Sequence, residues 1–526
     1  MPLPNATDHA MKRWEIILAL AGPLLLAIGV HWIHAAELPK QETTLDAGGC
    51  RTPLTILEPP PDVKPAGSVV LLHGLSANRR LMLYLAEDFA GHGLRAYSLD
   101  LPGHGDSQDA FSFARAQQCA TAAVESLIRS GTIEPKNTVL LGHSMGGAIA
   151  IRMADRDPLA ATIALSPAPM TMPQRMPANL LVFSASADLD PLKQTAQDLA
   201  AAAGGTRTAS DDFAEQRALS LQTVPFSTHT SLLSDHRVAH QSELWAMRAI
   251  FPNISTDTLA LNLDLATYET FGHGRRRLAG AILGLLGILL MFPAGATLVA
   301  RFTGPPQVES PGTRPTAALL LTEGAACAMA GILSLQLGTP LRFLHLYSGS
   351  YLASLLLIVG ILLLILNFGF AMEYTKFNPK RLAAAAILGF ATFLALGAWL
   401  NWQLDDAWLN APRWLRFAGL LPFAWVFAFA EEVVLGPPRQ GKQRAARFAL
   451  FLSLRLEIFL ACLLAYYMLA SGQVLIVILF VYLALFSVLQ RLATDALRVR
   501  TASATSAALF GAILASWFIA TVFPLT

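Results

Sequence analysis

Apolar residues are spread unevenly along the chain. A first apolar run occupies residues 15–33, a mixed region follows to about residue 276, and apolar runs then recur to residue 526. The later runs begin near residues 278, 316, 346, 382, 414, 447, 473 and 503. Each approaches the roughly 20 residues that a helix needs to cross the hydrocarbon of a bilayer. The pattern predicts a transmembrane anchor over 15–33 and a membrane domain of about eight helices over 278–526. The mixed region reads differently. Between residues 45 and 252 the runs SVVLLHG, LRAYSLDLPG, NTVLLGHS, ATIALSP, NLLVFSA and LSLQTVPFST alternate with helical patterns. Strand-sized apolar runs separated by helix-sized ones predict a mainly parallel sheet with helices on both faces, an α/β domain.

Composition agrees with that division. At 526 residues the chain has room for two or more domains, and 54% hydrophobic with 14% charged residues is too apolar for an ordinary soluble enzyme. Mean hydropathy is +0.48. The formal charge of +2 and the absence of a dense basic block give no reason to expect a nucleic-acid partner. The four cysteines, at 50, 119, 327 and 462, have no zinc-like spacing, so no metal is expected. Cys50 and Cys119 can pair if their domain is exported, but two isolated buried thiols are the favoured reading.

Loop charges suggest an orientation, because Lys and Arg are retained on the cytoplasmic side. Lys376, Lys380 and Arg381 form one basic loop, Arg439, Lys442, Arg444 and Arg447 another, and Arg491, Arg498 and Arg500 a third. Placing these inside puts residues 1–14, with Lys12 and Arg13, in the cytoplasm and residues 36–276 outside. The expected location is a bacterial inner membrane with the α/β domain in the periplasm or outside the cell. Arg275, Arg276 and Arg277 run against this rule, and contact with lipid headgroups is one use for them. Trp14 and Trp32 bracket the first run as an interfacial belt would, which favours an uncleaved anchor over a signal peptide cut near IHAAEL.

In parallel sheets chemistry collects where strands end at their carboxyl edge. LLHGLSANRR ends one strand with His73-Gly74, LDLPGHGDS ends the next with Asp100 and a glycine-rich turn, and LLGHSMGG ends a third with Ser144. His-Gly, then D-x-P-G-H-G-x-S, then G-H-S-M-G-G resembles the α/β-hydrolase superfamily, in particular its branch of monoglyceride lipases and serine aminopeptidase-like proteins. The resemblance covers about residues 45–252. It implies a nucleophile, an acid and a base in that chain order, and a serine needs such a base, itself oriented by a carboxylate. Ser144 takes the first role. Asp188 fits the acid position, with Asp190 two residues on as the alternative, and His229 in TVPFSTHTSLL fits the base. The resemblance also implies an oxyanion hole of two backbone N–H groups, from Leu75 and Met145. His73 and His143 read as structural, and Asp100 as a turn lock.

Only APMTMPQRMPA separates ATIALSP from the next strand, which leaves no room for a helical lid. The Met-rich loop, with Met170, Met172 and Met176, and outward loops of the membrane domain are expected to roof a pocket for lipid-like acyl substrates. Within the apolar runs lie Glu323, Glu431, Glu432, Arg455 and Glu457, for which pairing between helices is favoured over a proton path. Trp399, Trp402, Trp408 and Trp414 mark an interface around one outward loop. The whole predicts a membrane-anchored serine hydrolase of carboxylic esters that needs no cofactor, with membrane lipid as its surroundings. Thioester and peptide substrates stay open, and so does the oligomeric state. The alternative is a transporter or sensor whose hydrolase-like domain binds ligand without turnover.

Overall fold

The computed structural model describes residues 11–35, 37–153, 159–254, 273–303, 315–375, 377–403, 407–437 and 442–526. Most of the expected cytoplasmic segment 1–14, Lys376, Arg439 and the side chain of Lys442 lie outside the described residues. The chain divides into two compact units. One comprises Ile28–Ile282, Leu400–Asp406 and Pro524–Thr526, and the other Met1–Ala27, Leu283–Trp399 and Ala407–Phe523.

The first unit is built on an eight-stranded sheet in the order β1-β2-β4-β3-β5-β6-β7-β8. The strands are β1 (Lys40–Ala47), β2 (Cys50–Leu57), β3 (Gly67–Leu72), β4 (Leu94–Leu99), β5 (Thr138–His143), β6 (Ala161–Leu165), β7 (Leu180–Ala185) and β8 (Leu219–Val224). From β4 to β8 every pairing is parallel, while β1, β2 and β4 pair antiparallel. The six apolar runs are β3 to β8. The β1–β2 hairpin lacks that signal because β1, KQETTLDA, is almost wholly exposed. Helices α2 (Leu83–Gly91), α3 (Phe113–Arg129), α4 (Met145–Met153), α5 (Asp190–Ala202), the short α6 (Ser210–Ala214) and α7 (His236–Ile250) complete the unit. β3, β5 and β6 contribute Val69, Leu71, Val139, Leu141, Ile163 and Leu165 to a core shared with α2 and α7, each fully buried. Burying such a side chain is worth about 1.5–3 kcal/mol, so the central strands are apolar on both faces and do not alternate.

Two expectations need correction here. Cys50 and Cys119 are not separate thiols but a disulfide that ties the start of β2 to the middle of α3, across 69 residues of sequence. Sequence spacing could not show it, because the pair meets only when the hairpin lies beside α3. Arg277 is not a headgroup ligand: it is 3% exposed and forms an ion pair with Glu87 of α2. It lies in α8 (His273–Arg301), whose first turn docks on the domain through the Gly274 N–H donated to Asp88 at 3.0 Å. Gly274 is required there, since a Cβ would stand 2.4 Å from the Tyr84 carbonyl oxygen.

The second unit is helical. Among the described residues nine helices are long and apolar enough to cross a membrane, the first being α1 (Arg13–Ala35), and the last two spanning Phe480–Thr501 and Ala504–Val522. Arg455 pairs with Glu431 at 2.8 Å, as pairing between helices requires, but the pair belongs to a larger network. Arg491 reaches Glu432 and Asp495, both at 2.5 Å, Arg447 reaches Asp495 at 2.5 Å, and Arg498 reaches Glu432 at 2.5 Å. Arg500 pairs with Glu15 of α1. Glu323 accepts a hydrogen bond from Asn367 at 2.9 Å. Four basic residues taken as loop charges therefore serve as partners of acids.

The disulfide closes a long loop, so Cys50→Ala with Cys119→Ala is expected to destabilise the domain by about 2–4 kcal/mol, read as a lowered unfolding midpoint that reductant produces in the parent but not in the variant. A second prediction comes from the cluster under α8. Burial, and then the Glu243 carboxylate, push Asp88 from 3.8 up to about 7, against the Gly274 N–H and the charge of His92. His92 is lowered by burial but raised more by the Glu243 carboxylate 3.0 Å away and by Asp88, for a net rise above 6.5. Asp88 holds a proton when folded that it releases when unfolded, and protonated His92 is stabilised only in the fold. The Asp88 contribution is full only below about pH 4, its unfolded range, and declines until it is gone above about pH 7, while that of His92 is full below its unfolded 6.5 and is lost as pH rises above it. Relative to Asp88→Asn, the unfolding midpoint of the parent should therefore fall as pH rises from about 4 to about 7.

Candidate functional site

Strand β5 runs directly into α4, and Ser144 is the single residue between them. Its φ of 53° is the left-handed region that a side chain other than glycine rarely occupies. The Ser144 N–H donates to the Leu165 carbonyl at 2.8 Å, and the Ser144 carbonyl accepts from Ala148 and Ala168 at 3.1 and 3.0 Å. Those bonds hold a conformation that otherwise costs of order 1–3 kcal/mol. Two glycines make the turn possible. A Cβ on Gly142 would lie 2.2 Å from the Gly146 carbonyl oxygen, and one on Gly146 would lie 2.1 Å from that of Leu72. The first turn of α4 thus packs backbone against backbone on the end of β3.

Asp188 follows β7 and His229 follows β8. The Nδ1 of His229 lies 3.1 and 3.2 Å from the two carboxylate oxygens of Asp188, whose side chain is 1% exposed. Burial raises the Asp188 carboxyl, but the hydrogen bond and charge of His229, then hydrogen bonds from Ser166 and Leu189, outweigh it and hold the group below its ordinary 3.8. An ionised Asp188 fixes the proton of His229 on Nδ1, leaving Nε2 as the basic nitrogen. Asp190, the alternative acid, instead begins α5 with a 95% exposed side chain paired to Lys193. Ser144 and His229 are brought together indirectly. His143, the residue before Ser144, donates from Nε2 to the His229 carbonyl at 2.9 Å, with ring centroids 4.8 Å apart. Burial, then the charge of His229, drop His143 to about 3, so it stays a neutral donor. Among the described residues no hydrogen bond joins Ser144 Oγ to His229, a contact that often tightens only when substrate is bound.

Leu75 and Met145 sit at the same edge. Met145 opens α4, where a helix leaves its first N–H groups without intrahelical partners. Leu75 follows Gly74 in the turn after β3, and here the buried His73 has a role beyond packing. Its Nε2 accepts from Leu101 N–H at 2.9 Å, so the proton is on Nδ1, which donates to the Gly74 carbonyl at 2.8 Å. Burial lowers its pKa and keeps it in that neutral tautomer. In a trans peptide C=O and N–H point in opposite directions. With the Gly74 carbonyl held by His73, the Leu75 N–H faces away from it. The next N–H, of Ser76, is taken by Nε2 of His104 at 3.1 Å.

His104 belongs to the glycine-rich loop after β4. Asp100 locks that loop, accepting from the Arg79 N–H at 2.8 Å, the Asp106 N–H at 3.0 Å and the Arg79 guanidinium. A strand-like contact closes its other side: the Leu525 N–H donates to the Gly103 carbonyl at 3.0 Å, and the Leu525 carbonyl accepts from Phe111 at 2.7 Å. The Met-rich loop is less of a roof than expected, since Met170 and Met176 pack on the core under β6 and β7 and only Met172 is 38% exposed. Cys50, Cys119 and Asp109 also lie together, but the disulfide leaves no thiolates there for a metal.

Sequence reasoning read His143 as structural without its partner and missed two further supports. His143 holds the backbone of His229, Ser166 bonds Asp188, and Leu525 braces the loop that carries His104. His143 was visible as a residue next to the elbow; the other two meet the site only through the parallel pairing of β6 with β7 and through a contact more than four hundred residues apart.

Residues 69–256 match the model of the "Alpha/beta hydrolase family". The pimeloyl-[acyl-carrier protein] methyl ester esterase of Nitrosospira multiformis is 32% identical over 90 residues, 17% of this chain and 34% of that protein. The AB hydrolase superfamily protein YisY of Bacillus subtilis is 31% identical over 113 residues, 20% of this chain and 41% of that protein. The chain thus spans only about a third to two fifths of the length of these curated relatives. Among solved structures, XC6422 of Xanthomonas campestris, described as an a/b serine hydrolase without lid, is 19% identical with a TM-score of 0.32, covering 40% of this chain and 93% of that one. A soluble variant of monoglyceride lipase from Saccharomyces cerevisiae is 11% identical with a TM-score of 0.32, covering 40% and 96%.

The bracing of the glycine-rich loop yields a prediction. Leu525→Pro removes the N–H donated to Gly103. Hydrogen exchange of amides within residues 103–111 is expected to quicken, while exchange in β5 and β6 stays as in the parent.

Proposed function

We propose that the α/β-hydrolase domain of this chain is a serine hydrolase of carboxylic esters, with Ser144 as nucleophile, His229 as base and Asp188 as the carboxylate that orients it. One observation carries the reading: the buried Asp188–His229 hydrogen bond lies at the same sheet edge as the elbow serine, tied to it through His143. Ser144 Oγ attacks the ester carbonyl carbon as Nε2 of His229 takes its proton. The carbonyl oxygen gains the negative charge and is met by the N–H groups of Met145 and Leu75. Collapse breaks the bond to the alcohol, which leaves with the proton from His229 and an acyl group on Ser144. A water then repeats the sequence, His229 taking its proton, and releases the carboxylic acid. Asp188, held ionised, stabilises the imidazolium formed in each half.

The same reading puts the chain in a membrane through the nine long apolar helices among the described residues, with the catalytic domain on the outer side of a bacterial inner membrane. The Cys50–Cys119 disulfide supports that side, because such bonds persist in oxidising compartments. Lipid-like acyl esters, as for the monoglyceride lipase branch, are the proposed substrates. Support comes from the 14 residues between β6 and β7, which form no helical cap over the serine edge. A ligand-binding domain without turnover would have no need of an ionised acid on a base beside a strained serine.

A fluorophosphonate probe should label the full chain, and Ser144→Ala should abolish labelling. Asp188→Asn is expected to lower kcat by about 10⁴-fold through the wrong His229 tautomer, while Asp190→Asn changes it less than twofold or so. Unlabelled but folded protein would overturn the reading.

A further inference from the structure

The turn that presents Leu75 is strained, and its support comes from a loop that takes no part in the proposed chemistry. Residues Gly74 to Ala77 form this turn, closed by the Ala77 N–H, which donates to the Gly74 carbonyl at 3.2 Å. Leu75 has a negative φ, but Ser76 has a φ of 65°. That combination is a type II turn, whose third residue is normally Gly or Asn because other side chains resist the left-handed region. Serine at that position favours the type I turn, in which the peptide joining Leu75 to Ser76 is rotated by nearly half a turn.

His104 opposes that rotation. Its Nδ1 lies 2.8 Å from the Pro102 carbonyl oxygen, which can only accept, so Nδ1 carries the proton and Nε2 the lone pair. The Ser76 N–H donates to that Nε2 at 3.1 Å. Rotating the peptide would turn this N–H away and bring the Leu75 carbonyl oxygen toward the lone pair, because C=O and N–H point in opposite directions across a trans peptide. Packing holds the ring in place. It is 2% exposed and lies between His73 and Phe111, with ring centroids 5.0 and 5.3 Å away.

We propose that His104 is a positioning residue for the oxyanion hole: by holding Ser76 in its left-handed conformation, it keeps the turn in the form that aims the Leu75 N–H at the substrate carbonyl oxygen. This rests on the proposed function, which gives Leu75 that role. An oxyanion donor works because it is aimed before the reaction begins. A turn free to relax loses that aim, and the loss falls on the transition state more than on the bound ester.

Two substitutions separate the contact with Ser76 from the contact with Pro102. In His104→Asn the amide nitrogen stands near the place of Nδ1 and can still serve Pro102, but the side chain is too short to reach Ser76. In His104→Gln the amide oxygen extends about as far as Nε2 and can accept from Ser76. With the full chain and p-nitrophenyl butyrate, His104→Asn is expected to lower kcat at least about tenfold while KM changes less than about twofold. His104→Gln should stay within about threefold of the parent. Ser76→Gly suits the turn without help, so combining it with His104→Asn should recover most of the loss. That double variant decides the matter if His104→Asn alone does not fold. Unchanged kcat in His104→Asn, an equal loss in His104→Gln, or no recovery in the double variant would overturn the assignment. Fluorophosphonate labelling of the parent reads the esterase proposal separately. If the parent is unlabelled, that proposal fails, and amide exchange at residues 75–77 still reads the turn: faster exchange in His104→Asn supports the part given to His104, and equal rates overturn it.

Discussion

Everything at the serine edge depends on two side chains that are absent. Gly142 and Gly146 let the first turn of α4 close on the ends of β3 and β5, where a single methyl group would overlap a carbonyl by more than an ångström. Because β3 and β5 are neighbours, this closure sets Ser144 beside the turn that carries Leu75. The left-handed backbone of Ser144 follows from the same constraint: the chain must leave the strand and enter the helix within one residue. Its strain is balanced by ordinary backbone hydrogen bonds from β6 and its following loop.

Around that elbow, direction is imposed by neutral histidines. His73 fixes the peptide before Leu75, His104 occupies the N–H of Ser76, and His143 holds the carbonyl of His229. In His73 and His104 one ring nitrogen accepts and the other donates, so each is satisfied without charge, whereas His143 donates from Nε2 and its buried Nδ1 has no hydrogen-bond partner among the described residues. The strong charges nearby are arranged to cancel. Arg79, from the segment after β3, is paired with Asp100 and Asp106 of the glycine-rich segment and with Glu42. That leaves Asp188 as the carboxylate that faces His229, and among the described residues no other cation pairs with it.

Much of this was legible in residue order. The six apolar runs mark six of the eight strands, and Ser144, Asp188 and His229 each follow one of them. What was not legible has a common physical cause. Strand β1 is polar because it lies at an edge in water, so hydrophobic pattern cannot reveal it. The cysteine pairing, the Ser166–Asp188 contact and the Leu525–Gly103 contact join residues far apart in sequence, and nothing local in the chain specifies them. The choice between Asp188 and Asp190 needed the turn after β7, which buries one carboxylate against His229 and starts a helix with the other.

The same limit bears on topology in the helical unit. Counting Lys and Arg in loops assumes that each charge is free to respond to the translocation machinery and the membrane surface. Arg447, Arg491, Arg498 and Arg500 instead have carboxylate partners, and Arg491 and Arg498 are nearly inaccessible. Buried ion pairs of this kind add little net stability, since desolvation offsets their attraction, but removing one partner is costly. Their effect is to fix the register of the helices that carry them. Such residues therefore speak to packing more than to sidedness. The proposed outward placement of the hydrolase domain then leans less on those loops than on the disulfide, whose chemistry depends on the compartment and not on a count.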